Sequence, residues 1–161
     1  MPIDYERPDP KPAGRSVVII PTYNEAQNIT GVLYRVLQQE GDIDVIVVDD
    51  GSPDGTADLV RQFSAQYPGR IHLIERPEKL GLGTAYIAGF EYALKHGYDY
   101  ICEMDADLSH NPADLPRLIE PVRNGEADLA IGSRYVNGIR VMNWPLIRLI
   151  VSYGASIYTR L

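Results

Sequence analysis

Five short apolar runs, each closed by turn-forming residues and separated by stretches of helical periodicity, constrain this chain more than any other feature. Val17-Val18-Ile19-Ile20 and Val45-Ile46-Val47-Val48 are unbroken branched aliphatic segments. A strand with one wet face alternates apolar and polar residues, so these two read as strands buried on both sides. Further strands are expected over 71–74, 98–104 and 129–131. Asn24, with Gln27 three residues on, has the spacing of a capping box. The helix it would open carries Ile29, Val32, Leu33, Val36 and Leu37 on one face. The turn Ser52-Pro53-Asp54-Gly55 leads into a helix over 56–67, and Gly81-Leu82-Gly83 into one that ends near His96-Gly97. Asn111, followed by Pro112 and Asp114, caps a last helix with Leu115, Leu118, Ile119 and Val122 on its apolar face. Such alternation specifies an α/β fold, a mostly parallel sheet with helices on both faces.

Ligands of such sheets bind at the carboxyl ends of the strands. That rule selects the loops 21–25, 49–56, 79–83, 105–110 and 132–134. In the fourth of these, Asp105-Ala106-Asp107 places two carboxylates directly after a strand. Like charges at short range repel, and a hard divalent cation relieves this; Mg2+ keeps one or two carboxylates and completes its shell with water and phosphate oxygens. The competing reading is a pair of turn-forming aspartates. Asp49-Asp50-Gly51-Ser52 ends another strand with a second acidic pair, able to accept hydrogen bonds from a base or ribose, while Ser52 and Asp54 fit an Asx-type turn. Tyr23, in Pro21-Thr22-Tyr23-Asn24-Glu25, could stack on a base; Asn24 and Glu25 could do no more than cap a helix. Arg134 follows the last apolar run and suits either a phosphate or a neighbouring aspartate.

Other readings fail on particular residues. Gly81-Leu82-Gly83 starts like a dinucleotide fingerprint, but Tyr86 stands where the third glycine belongs. Asp50, Ser52 and Asp54 imitate half a calcium loop, but its twelfth position is Arg61. His110 fits a structural histidine better than a metal ligand. His72 and His96 read as surface or cap residues, and Cys102 as a small hydrophobe within a strand.

Charge then separates the chain into unlike parts. The net charge is -7, from 22 acidic and 15 basic residues. Every acid lies in 1–128, whereas 129–161 holds only Arg134, Arg140, Arg148 and Arg160. An acidic main body argues against nucleic acid as a partner. A single cysteine fits a reducing compartment. Residues 1–15 are polar and proline-rich, without a signal peptide's apolar core, and read as a flexible tail ahead of a domain over 16–161. Residues 144–161 are apolar with spaced arginines; they suit either a membrane surface or a core-facing helix.

Taken together, Pro21-Thr22-Tyr23-Asn24-Glu25, 49–56, 79–86, 103–110, Ile131-Gly132-Ser133-Arg134-Tyr135 and Asn143-Trp144-Pro145 make the chain similar to the polyprenol-phosphate (dolichol-phosphate) mannosyltransferases. These are inverting glycosyltransferases of family 2 with the GT-A fold. The resemblance implies transfer of mannose from GDP-mannose to a polyprenyl phosphate. It implies that Pro21, Tyr23, Glu25, Val48, Asp50, Asp105, Ala106, Asp107 and Arg134 hold the nucleotide sugar. Asp105, Asp107 and Ser109 would hold Mg2+ or Mn2+, and Asp107 and Arg134 would serve catalysis. Since such enzymes continue past the point where this chain stops, it reads as a donor-binding part, incomplete at its C-terminal side and poorly active alone. The whole protein would lie at the cytoplasmic face of a membrane. Two alternatives stay open: a family 2 enzyme using a UDP-sugar such as UDP-glucose, and a nucleotide-sugar-binding module without turnover.

Overall fold

The computed structural model describes residues 13–132. Expectations for the earlier tail, for Arg134 and for residues 144–161 therefore lie outside the described residues. Four parallel strands form one sheet: β1 (Ser16–Thr22), β2 (Asp44–Asp49), β3 (Ile71–Glu75) and β4 (Tyr100–Glu103), in the order β3-β2-β1-β4. Helices α1 (Ile29–Leu37), α2 (Thr56–Ser64) and α3 (Leu82–Lys95) connect them, and α4 (Leu115–Arg123) follows β4 after a 3-10 turn at Pro112–Asp114.

The two unbroken aliphatic runs are the two central strands, and side-chain alternation divides them between two cores. Val18, Ile20, Val45 and Val47 pack with Ile29, Leu33 and Val36 of α1, Val60 of α2, and Leu115 and Ile119 of α4. Val17, Ile19, Ile46 and Val48 face the other way, onto Ala85 and Ala93 of α3. All eight strand side chains are fully buried. At about 1.5–3 kcal/mol for each buried Val or Ile, this double burial fixes the register, because a slip of one residue would exchange the two faces. On the α3 side the approach is close: a Cβ on Gly89 would lie 2.5 Å from Ile19 Cγ2.

Three expectations need correction. Asn24 does not open α1. Its φ of 62° is left-handed, unlike the extended backbone usual at an N-cap; the cap of α1 is Asn28, and the first turn closes on the Glu25 carbonyl, which accepts from the N–H groups of Asn28 and Ile29. Residues 129–131 form no strand: Leu129 and Ile131 are exposed, and this three-residue run has no ladder partner among the described residues. His72 is not a surface residue; it lies half-buried between the hydroxyls of Tyr98 and Tyr92. Asn111 does cap, its side chain accepting from the Ala113 N–H at 3.2 Å.

Candidate functional site

The chain runs outward from β1 to β2 and β3, then returns to lay β4 on the other side of β1. The crevice of an open α/β sheet lies at such a reversal, beyond the carboxyl ends of the strands. Here those ends are Thr22 and Glu103, so the loops 23–28 and 104–111 flank the crevice, with the loop after β2 beside them.

These loops are tied by side chains acting on backbone. Asp49 is buried and accepts from Thr22 Oγ1 at 2.8 Å, from the Ser52 N–H at 2.9 Å and from Ser52 Oγ at 2.6 Å. Ser52 Oγ in turn accepts from the Asn24 N–H at 3.0 Å, which accounts for the left-handed backbone there. Asp54 accepts from Thr56 Oγ1 and from the Ala26 N–H, and these bonds hold its pKa below the ordinary carboxylate value. Thr56 Oγ1 accepts from the Glu25 N–H at 3.0 Å. Ser52 and Asp54 thus do build the turn, with Asp49 as its centre.

Asp50, also buried, turns away from that turn. Its Oδ1 takes Arg76 Nε at 2.6 Å and an ion pair with Arg76 Nη2, while Oδ2 accepts from the Leu80 N–H at 3.1 Å. Tyr23 is exposed at the end of β1, with the Lys79 ammonium 4.1 Å from its ring centre. Glu25 accepts from Asn28 Nδ2 at 2.9 Å. Pro21 is half-buried and Val48 fully buried, so Val48 can offer a ligand only its backbone.

Across the crevice, Asp105 is half-buried, Ala106 buried and Asp107 exposed. Asp105 Oδ1 accepts from the Tyr86 hydroxyl of α3 at 3.2 Å. Burial first, and then the Asp105 charge, raise the Tyr86 pKa far above its ordinary value, so the phenol keeps its proton and donates it. His110 Nδ1 accepts from the Asp105 N–H at 3.0 Å, and so points its other nitrogen elsewhere. Leu108, at φ 61°, turns the chain back so that the Ser109 N–H reaches Asp107 Oδ1 at 2.9 Å.

Two hard carboxylates partly open to solvent suit a divalent cation that takes its remaining ligands from water and phosphate. Among the described residues no group of three or more His, Cys, Asp or Glu side chains could form a closed metal cage. The structure thus brings the predicted residues of 21–25, 48–50 and 105–109 to one end of the sheet. Arg76 and Tyr86 were absent from the sequence-based set. Tyr86 lies within a motif that carried the resemblance, but neither residue has a spacing signal that announces a contact 19 or 26 positions away.

A family model described as glycosyl transferase family 2 matches residues 17–160. A polyprenol monophosphomannose synthase of Mycolicibacterium smegmatis is 49% identical over 150 residues, covering 93% of this chain and 56% of that protein. An undecaprenyl-phosphate mannosyltransferase of Micrococcus luteus is 49% identical over 147 residues, covering 91% of this chain and 59% of that one. The chain therefore spans a little over half the length of these relatives. Among solved structures, a mannosyltransferase of Pyrobaculum calidifontis in complex with GDP-Man and Mn2+ matches with a TM-score of 0.58 and 31% identity, over 71% of this chain and 34% of that one.

Proposed function

Because the chain belongs to glycosyl transferase family 2, we propose that it forms the donor-binding part of an enzyme that transfers mannose from GDP-mannose to a polyprenyl phosphate with inversion. The observation that carries this reading is the placement of Asp105-Ala106-Asp107 at the sheet's reversal point, in a chain 49% identical to two polyprenyl-phosphate mannosyltransferases.

Each group has a chemical task in this reading. Tyr23, beside the Lys79 cation, offers a face to the base, and Asp50 offers an acceptor. Asp105 and Asp107 would hold Mg2+ or Mn2+, which when bound offsets the charge that builds on the departing diphosphate. Tyr86 fixes Asp105 by donating to one of its oxygens, leaving the other for the cation. Ser109 closes the turn on Asp107 through its backbone N–H, and its hydroxyl would add an oxygen ligand to the cation. Arg134 meets phosphate charge. The acceptor is a phosphomonoester with a second pKa near 6, already ionised at neutral pH, so attack on the sugar needs no histidine base. Displacement from the face opposite the leaving group inverts the α-linked donor.

A lipid-phosphate acceptor implies that the whole protein works at a membrane, on the cytoplasmic side where nucleotide sugars are supplied. No helix among the described residues is long and apolar enough to cross a membrane. Calorimetry with GDP-mannose, GDP and UDP-glucose, with and without Mn2+, tests the donor site: metal-dependent binding that favours GDP-mannose is expected, and equal binding of UDP-glucose would overturn the donor. A product assay with a defined polyprenyl phosphate tests the acceptor.

A further inference from the structure

Arg76, just past the end of β3, is largely buried, with about a tenth of its side chain exposed. Its guanidinium uses three nitrogens on three partners. Nε and Nη2 both meet Asp50 Oδ1, Nη1 donates to Thr84 Oγ1 at 2.8 Å, and Nη2 also donates to the Gly81 carbonyl at 3.2 Å. One side chain thus joins the end of β2, the end of β3 and the start of α3. The backbone beside it has no slack: Gly51 sits at φ 67°, and a Cβ there would lie 3.0 Å from the Pro77 carbonyl oxygen.

We propose that Arg76 is a positioning residue of the donor site that acts through Asp50, fixing its carboxylate so that it offers a nucleotide base one acceptor and therefore one N–H contact. This rests on the nucleotide-sugar reading above. A carboxylate has about four lone-pair sites. On Oδ1 one is filled by the Arg76 Nε–H and the other is covered by the ion-paired Nη2, and one on Oδ2 is filled by the Leu80 N–H. The remaining site lies on Oδ2. Guanine N1–H and uracil N3–H each satisfy it. A two-point grip on guanine N1–H and the exocyclic amine needs a free site on both oxygens, and Oδ1 has none. Asp50 therefore anchors the base without choosing between guanine and uracil, and discrimination comes from other groups.

The test measures binding of GDP, UDP and inorganic pyrophosphate, each with Mn2+, to the wild type and to Arg76→Met, Arg76→Lys, Asp50→Asn and the Arg76→Met/Asp50→Asn double variant, with melting curves for all five. Loss of a charge-assisted contact predicts that Arg76→Met weakens GDP and UDP by similar factors of about tenfold or more. Pyrophosphate binding stays at the wild-type level, and Arg76→Met adds nothing on the Asp50→Asn background. If Arg76→Met does not fold, Arg76→Lys decides: it keeps a cation against Asp50 but loses the fork, so it weakens the nucleotides and spares pyrophosphate. Unchanged nucleotide binding, equal loss of nucleotide and pyrophosphate, or additivity with Asp50→Asn overturns the proposal. A wild type that binds pyrophosphate but neither nucleotide overturns the nucleotide-sugar reading itself.

Discussion

The amino ends of the sheet and the loop after β4 use the same side chain in opposite ways. At the amino ends, Asp44 is buried and accepts from Arg70 Nε at 2.6 Å, Tyr98 Oη at 2.9 Å and Arg15 Nη2 at 3.3 Å. At the carboxyl ends, Asp105 is half-buried and accepts from the Tyr86 phenol, and Asp107 is exposed and accepts from the Ser109 N–H. An aspartate inside a cage of cations belongs to the fold, because removing it leaves buried charge uncompensated. An aspartate at a crevice, met mainly by neutral donors, keeps its charge available to a ligand. The difference distinguishes acids of one composition class by their donors.

The largest effect separates the ends outright. Asp107→Ala is expected to abolish the metal dependence of GDP-mannose binding while shifting stability by no more than about 1 kcal/mol, since the side chain is exposed. Unchanged Mn2+-dependent binding in calorimetry would remove Asp107 from the metal site. Next, Asp44→Asn should cost about 2–3 kcal/mol in denaturant unfolding, because Arg70 and Tyr98 lose a buried charged partner. Donor affinity should stay as in the wild type; a variant that lost affinity but not stability would reverse the assignment of the two ends.

Tyr86→Phe sharpens the comparison within the carboxyl end. The substitution keeps the ring and removes only the donor to Asp105. Partners of this kind orient metal ligands, and their loss lowers metal affinity by about tenfold. Mn2+ titration followed by electron paramagnetic resonance should show that drop with little change in melting temperature. Affinity equal to the wild type would reduce the Tyr86 contact to packing.

Much of this was legible in sequence because burial on both faces leaves a plain trace. Val17–Ile20 and Val45–Val48 read as buried strands, and the rule that ligands sit at the carboxyl ends of such sheets then selected the loops. The roles of individual acids were not legible. Asp49 and Asp50 are adjacent and identical, yet one closes a turn with Ser52 and the other meets Arg76 and Leu80. Thr22 for one and Arg76 and Leu80 for the other are brought there by the fold, and no local pattern records it. Asn24 failed as a cap for a related reason: its backbone conformation is set by Ser52, 28 residues away. His72 looked ordinary because its two tyrosine partners come from later in the chain.

That histidine gives the smallest expected effect, again at the amino end. Tyr98 donates to Asp44, so its oxygen accepts from His72 Nε2–H, and Nδ1 accepts from the Tyr92 hydroxyl. One neutral tautomer satisfies the whole chain of bonds, and a second ring proton would oppose Tyr92. Burial is the larger influence and lowers the His72 pKa from 6.5, while the Asp44 charge partly restores it. The unfolded chain therefore binds the proton more readily than the folded one. Stability from this group is complete above pH 6.5 and is lost as pH falls through 6.5 toward the lower folded value. Asp54, with its lowered pKa, contributes only at more acidic pH. Melting temperature should fall modestly between about pH 7.5 and 5.5, and His72→Gln should flatten that slope without altering Mn2+ affinity. A slope unchanged in the variant would show that the proton is taken up elsewhere, and the amino end would then be as insensitive to pH as its buried ion pair alone requires.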